Sequence, residues 1–320
     1  MSFIVRNHRN PKTQMKVGDT MKTATLTMAV TMSSVEEETA TTPTATTTMT
    51  PGAKVWKEPL VVSEMPPPLP DNLKNTYYLL RHGQSTANVA SVISSSRSLA
   101  YSDRHGVTSL GYQQGKESSK QLVNLLKEES KKGEKVIFIS SPFARARQTA
   151  QACIDGLFDK DFDPETSATL QDLNLDVYAN IELDERLMER YFGRLDDEAI
   201  YTYAYVWPLD GFNVTHTAFD VESVAAVCAR LNQLVADLEQ QYENHHIVWV
   251  SHADVLQIAQ LYGANAPNVG KFSSYRFTNG EVRVMKRTPD TLPDPNPLDA
   301  PLRGTSRMSP TLPAAAATTS

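Results

Sequence analysis

The 320-residue chain is 40% hydrophobic and 21% charged, and its 31 Lys and Arg against 37 Asp and Glu give a formal net charge of -6. That is the make-up of a globular protein; it excludes a nucleic-acid binder that works through an overall basic surface, and no apolar run reaches the length needed to cross a bilayer. An anionic substrate therefore needs a local cluster of cations.

Residues 1–70 differ in composition from the rest of the chain. Thr39 to Thr50 is almost entirely Thr, Ala and Pro, and Pro66 to Pro68 and Pro70 come after it. Such a stretch buries too little apolar surface to offset the entropy of ordering it, so it is expected to be a disordered extension. Its first 35 residues carry Arg6, Arg9, Lys12, Lys16 and Lys22 against the lone acid Asp19. A transit peptide has this composition, and so does a simple disordered extension. A cytoplasmic location and a plastid or mitochondrial one both stay open. Residues 289–320, rich in Pro, Ala, Ser and Thr, are expected to be a second disordered tail. Residues 71–288 remain as one core, the size of an ordinary single domain.

Inside the core, apolar runs alternate with helical patterns. Thr76 to Leu80 reads as a buried strand. Thr108 is placed to cap a helix running to about Ser130. Val136 to Ile139 reads as a second buried strand, and Ala144 to Phe158 as a helix. Val224, Val227, Cys228, Leu231, Leu234, Val235 and Leu238 keep the spacing of an amphipathic helix. Ile247 to Val250 is the third strand, with a helix from Val255 to Tyr262. Ser274 to Phe277 and Val282 to Val284 flank Asn279-Gly280, which predicts a hairpin. Continuous apolar strands alternating with helices give the α/β class, with a mainly parallel central sheet covered by helices on both faces. The stretch from about Asp155 to Asp184 has no assigned role. Cys153 and Cys228 lack metal-ligand or redox spacing and read as reduced, buried thiols. Asn213-Val214-Thr215 is a glycosylation triplet that carries weight only in a secreted protein.

In open α/β sheets ligands sit beyond the carboxyl ends of the strands. Here the first strand runs into Arg81-His82-Gly83-Gln84-Ser85, the second into Ser140-Ser141-Pro142 and then Arg145, and the third into Ser251-His252. Two arginines and two histidines at one rim suit a phosphate. The guanidinium fork matches phosphate oxygens, and an imidazole attacks when neutral or donates when protonated. Taken singly, each of these residues also has a structural reading, as a satisfied loop histidine or a surface charge.

Arg81 to Asn88, Thr108 to Gln114, Ser141 to Ala150, Leu187 to Gly193 and Val250 to Asp254, in that order, resemble the motifs of the histidine phosphatase superfamily, whose best-known branch is the phosphoglycerate mutases. The resemblance spans roughly residues 76 to 286. It implies a phosphoglycerate mutase-like fold with a small cap, and a metal-independent phosphomonoester hydrolase with no cofactor. It implies His82 as nucleophile, Arg81, Arg145 and His252 as the phosphoryl clamp, and Glu189 as the acid that protonates the leaving oxygen. Gly83, Ser85, Asn88 and Ala253 are the implied substrate-binding positions, with Gly83 expected to let the backbone approach the phosphate. His82 is expected to have a lowered pKa and His252 a raised one. His8, His105, His216, His245 and His246 are read as structural or solvated. Two positions depart from the family pattern. Ala253 stands where glycine is often found after the second histidine, and a glycine usual beyond the Glu segment is replaced near Asp196-Asp197.

The segment between Glu189 and His252 is short for a cap and holds Tyr201, Tyr203, Tyr205, Trp207 and Phe212, with no Lys or Arg between Arg194 and Arg230. A multiply charged substrate needs further cations, for which Arg97, Arg104 and Arg190 are the candidates. The expectation is a phosphatase with an aromatic-walled pocket, although the aromatics also read as core. A mutase, a sugar-bisphosphatase, a phosphate- or phosphopeptide-binding module and a scaffold acting through its tails stay open. The expected partner is a phosphorylated small molecule or phosphopeptide, with neither nucleic acid nor membrane; oligomeric state is not set by the sequence.

Overall fold

Three apolar stretches set the centre of the molecule: the runs around Leu79, Phe138 and Val248 are buried along nearly their whole length. A strand buried on both faces lies inside a covered sheet. The structure is a computed structural model that describes residues 47–49, 58–129 and 134–296, all within the unit Thr42–Ser320; the other unit, Met1–Thr41, lies outside the described residues. The strands are β1 (Thr47–Met49), β2 (Thr76–Arg81), β3 (Lys135–Ser140), β4 (Asp176–Leu183), β5 (His245–Ser251) and β6 (Val282–Val284). Their spatial order is β1-β4-β3-β5-β2-β6, and each pair is parallel except β2 with β6.

The helices are α1 (Thr86–Ala90), α2 (Ser109–Glu129), α3 (Ala144–Phe158), α4 (Pro164–Leu173), α5 (Trp207–Phe212), α6 (Val224–Gln241) and α7 (Ala253–Gly263). Alternation along the strands divides the core into two layers. Tyr77, Leu79, Ile137, Ile139, Ile247 and Trp249 pack with the apolar stripe of α6 and with α7. Tyr78, Leu80, Val136, Phe138, Val248 and Val250 pack on the opposite face with α2 and α3. Cys153 and Cys228, free thiols, are buried one in each layer. Thr108 closes the start of α2, its hydroxyl accepting from the Gly111 N–H at 3.1 Å.

The expected hairpin does not form. β6 pairs with β2, while Val269–Ser274 is a 3-10 turn and Tyr275 to Phe277 joins no strand. Side chains take the carbonyls that a ladder would have used: Arg283 donates to Arg276 O and Arg81 to Phe277 O. The 155–184 stretch supplies α4 and the strand β4, which lies between β1 and β3.

The described residues extend past 71–288 at both ends. Leu69 belongs to the core, and the proline-rich approach to it is fixed through its carbonyls. Asn232 and Tyr262 donate to Pro67 O, and Arg287 donates to Leu69 O and Pro70 O. Thr47–Met49 pairs with β4. At the other end the Asn296 N–H donates to Ser274 O, and Asn296 Oδ1 accepts from the Arg276 N–H. The rest of both expected tails, including the targeting segment, lies outside the described residues. Among the described residues no helix is long and apolar enough to cross a membrane.

Candidate active site

Register brings the three strand ends together. Arg81 of β2 is paired with Ser251 of β5, and Ser140 of β3 with Val250. One residue further on, the His82 N–H donates to Ser251 O at 3.0 Å and the Ser141 N–H to Val250 O at 2.9 Å. His82 and His252 consequently meet edge to face, with ring centroids 5.2 Å apart.

His82 is 3% exposed, and its Nδ1 lies 2.7 Å from Gly83 O. A carbonyl only accepts, so Nδ1 carries the proton, and in the neutral ring the lone pair is on Nε2. Burial pushes the His82 pKa well below its ordinary value, and the charges of Arg145 and Arg81 push it further down. The ring is therefore neutral across the physiological range.

Gly83 has a packing role. Its N–H is taken by Thr149 Oγ1 at 2.9 Å, and an added Cβ would stand 2.1 Å from Gly111 O. The absence of a side chain there lets the His82 loop pack against the start of α2.

Arg145 is 3% exposed. Its Nε donates to His252 Nδ1 at 3.1 Å, and Nη2 and Nη1 donate to Ser94 O at 2.7 Å and Ser94 Oγ at 3.3 Å. Its guanidinium also lies over the Phe143 ring, 4.6 Å from the centroid. Burial lowers the Arg145 pKa to about 10, which still leaves it charged. Arg81 donates through Nη1 to Phe277 O, and its buried Nε has no partner among the described residues. The expectation of a raised His252 pKa is not met. Burial lowers it well below the usual value, followed by the charges of Arg145 and His82. A cationic guanidinium donating to Nδ1 leaves the proton of the neutral ring on Nε2, which faces Ser141 Oγ at 2.8 Å.

Glu189 is 8% exposed, with Oε2 3.9 Å from His252 Nδ1 and Oε1 accepting from the Arg190 N–H at 3.0 Å. Burial raises its pKa well above the carboxylate range, helped by the charge of Asp254 and opposed by Arg145 and Arg81. A neutral imidazole, two cations and a carboxyl of raised pKa are parts that phosphoryl transfer with leaving-group protonation can use.

Residues 77–180 and 165–292 match the histidine phosphatase superfamily, branch 1. The chain belongs to that superfamily. Among solved structures it resembles an open reading frame of Mycobacterium tuberculosis (18% identity over 66% of this chain and 90% of that one, TM-score 0.46). It also resembles a mycobacterial glucosyl-3-phosphoglycerate phosphatase (19% over 65% and 91%, TM-score 0.45) and Bacillus stearothermophilus YhfR (20% over 66% and 90%, TM-score 0.46). No curated protein matches the chain.

The remaining site positions of this histidine phosphatase are arranged around that cluster. Ser85 and Asn88 form the capping box of α1: the Asn88 N–H donates to Ser85 Oγ, and the Ser85 N–H to Asn88 Oδ1 at 3.0 Å. Asn88 is exposed and its oxygen is thereby occupied. Ala253 is the first residue of α7, directly after His252. Asp196 Oδ1 gathers the N–H groups of Ser95 and Ser96 and the Ser95 hydroxyl, while Asp197 has φ +67°, a backbone that favours glycine.

The cap is made of the 3-10 turns Gly193–Leu195, Ile200–Tyr205 and Ala218–Asp220 together with α5. It is tied to the loop after α1 through Ile93 N–H to Glu198 O and Ile200 N–H to Ser91 O. Of the candidate extra cations, Arg190 is not free to meet a substrate. It is fully buried and held by both oxygens of Asp210, at 2.7 and 2.8 Å. Arg97 faces Glu222, and Arg104 is half exposed beside Asp197. Of the cap aromatics, Tyr201, Tyr205 and Phe212 are exposed, whereas Tyr203 and Trp207 stack on each other beside the site.

Several site residues carry no legible signal in the sequence. Ser94 and Thr149 are ordinary hydroxyl residues until the fold places them on Arg145 and Gly83. Asn279 has only the pattern of a turn residue, yet its Nδ2 donates to His82 O at 2.9 Å. Asp254 lies inside a recognised segment, and its contact with Trp207 Nε1 at 3.2 Å crosses to the cap. Among the described residues no group of three or more His, Cys, Asp or Glu is placed to hold a metal ion.

Proposed function

We propose that this histidine phosphatase is a phosphomonoesterase that works without a metal through a phosphohistidine at His82 Nε2. One observation carries the reading: the Nδ1–H of His82 is committed to Gly83 O, so the lone pair on Nε2 belongs to a neutral, fixed imidazole beside Arg145 and Arg81.

In the first step Nε2 forms a bond to phosphorus while the bridging P–O bond breaks. Glu189 gives its proton to the departing oxygen. The ring gains positive charge, and the Gly83 carbonyl on Nδ1–H stabilises it. Arg81 and Arg145 hold the non-bridging oxygens as their charge spreads. In the second step water attacks phosphorus, Glu189 takes a proton from it, and the P–N bond breaks to release phosphate and neutral His82.

The substrate reading that this site supports is a phosphorylated small molecule whose non-phosphate part meets the Tyr203–Trp207 stack, because Arg190 is committed to Asp210. A screen in which 3-phosphoglycerate far outperformed aromatic and sugar phosphates would sink it. The mechanism is tested by hydrolysis of p-nitrophenyl phosphate in EDTA. Turnover by the wild-type protein and none by His82→Ala is expected, while turnover that survives the substitution would contradict the assignment.

A further inference from the structure

Tyr203 sits on the turn Ile200–Tyr205, stacked on Trp207 with centroids 4.5 Å apart and planes 7° from parallel. Phe192 meets it edge-on at 4.9 Å. Both neighbours are pinned. Trp207 Nε1 donates to Asp254 Oδ2 at 3.2 Å, two residues after His252, and the Phe192 N–H donates to Ser95 Oγ at 2.9 Å. The ring is thus fixed between the cap and the rim of β5. Its phenol lies among the catalytic charges, with Arg81 and Arg145 of one sign and Glu189 and Asp254 of the other.

Other tyrosines of the domain have protein partners for their hydroxyls: Tyr77 has Glu239, Tyr78 has His246, Tyr112 has Asp155, Tyr242 has Glu182 and Tyr262 has Pro67 O. No hydrogen bond joins the Tyr203 hydroxyl to another described residue. Tyr203 is half-buried, so a hydroxyl without a protein partner is open to a ligand that enters the site. Burial and the two carboxyls hold it protonated, so it is a donor.

We propose that the Tyr203 hydroxyl donates a hydrogen bond to the phosphoryl group during transfer, which makes it a catalytic residue supplied by the cap. The proposal rests on the phosphohistidine reading of His82. An uncharged donor suits this position, because a further cation would act against formation of the imidazolium on His82, where Arg81 and Arg145 already crowd positive charge. It also makes the phosphoryl site complete only with the cap in place.

Tyr203→Phe keeps the stack and removes only the hydroxyl. The expected result is an unchanged melting temperature, a roughly tenfold weaker inhibition by orthovanadate, and a roughly tenfold lower kcat/KM, the scale of one lost hydrogen bond. The loss in kcat/KM should be equal for p-nitrophenyl phosphate and for an alkyl phosphate. An unchanged vanadate constant overturns the proposal whatever happens to turnover, and a loss that grows with leaving-group pKa reassigns the hydroxyl to the leaving oxygen. A wild-type protein insensitive to vanadate would remove the phosphohistidine reading itself, so the two failures are distinguishable.

Discussion

Arg145 Nε donates to His252 Nδ1 at 3.1 Å, and this one contact decides the protonation of the second histidine. A protonated Nδ1 would face the guanidinium donor to donor, so His252 is neutral here. Its strongly lowered pKa has the same cause, burial beside Arg145. A phosphate dianion that draws the Arg145 guanidinium away from Nδ1 removes that clash and favours the imidazolium. Phosphate binding near neutral pH is therefore expected to take up a proton at His252. Calorimetry in buffers of different ionisation enthalpy measures this uptake, and His252→Gln should abolish it.

The pH profile follows from the two other shifts. His82 must be deprotonated to attack, and its pKa is lowered, so the acid limb of kcat/KM lies well below the ordinary histidine range. Glu189 must be protonated to act as acid, and its pKa is raised, so activity falls only above that raised value. The optimum lies between them, in mildly acidic solution. Glu189→Gln should lower kcat/KM for alkyl phosphates by about 10²–10⁴-fold, lose the basic limb, and cost much less with a p-nitrophenol leaving group.

Gly83→Ala is expected to damage the fold as well as the activity. The new methyl group would lie 2.1 Å from Gly111 O, a backbone atom, so the loop or α2 has to move. Overpacking of this kind costs about 1–3 kcal/mol or more. Urea denaturation should show the loss. A variant that melted with the wild-type protein and failed only in phosphate affinity would instead support the phosphate-approach role.

Arg190 and Asp210 are both fully buried and doubly hydrogen-bonded. Removing Asp210 leaves the buried Arg190 with only the more distant Asp254, at 3.6 Å, as a charge partner, so Asp210→Ala should destabilise by up to about 3–5 kcal/mol. The same unfolding experiment checks it. Loss of activity without loss of stability would instead place Arg190 in contact with substrate.

The parts of this molecule legible in the sequence are those set by local pattern. Uninterrupted apolar runs mark β2, β3 and β5, and the i, i+3, i+4 stripe marks α6. The strand ends then place His82, Arg145 and His252 at one rim. β4 is not marked by an uninterrupted apolar run, because Val177, Ala179, Ile181 and Leu183 alternate with Asp176, Tyr178, Asn180 and Glu182, and its register shifts against β3. Asn279-Gly280 has a hairpin's turn chemistry, but the preceding strand depends on carbonyls that Arg81 and Arg283 take. Ser94, Asn279 and Tyr203 reach the site from distant points in the chain, which no local pattern records. The direction of the His252 shift is not legible either, because burial sets it first and the Arg145 charge adds to it, and neither is recorded by local pattern.

The central claim is a covalent phosphoryl group on His82 Nε2. The decisive measurement is to quench the enzyme in alkali during turnover of a ³²P-labelled phosphomonoester and map the label by mass spectrometry. The predicted result is an acid-labile adduct on His82, absent in His82→Ala and accumulating if Glu189→Gln slows its hydrolysis. Full turnover with label on another residue, or with no covalent adduct at any time, would contradict it.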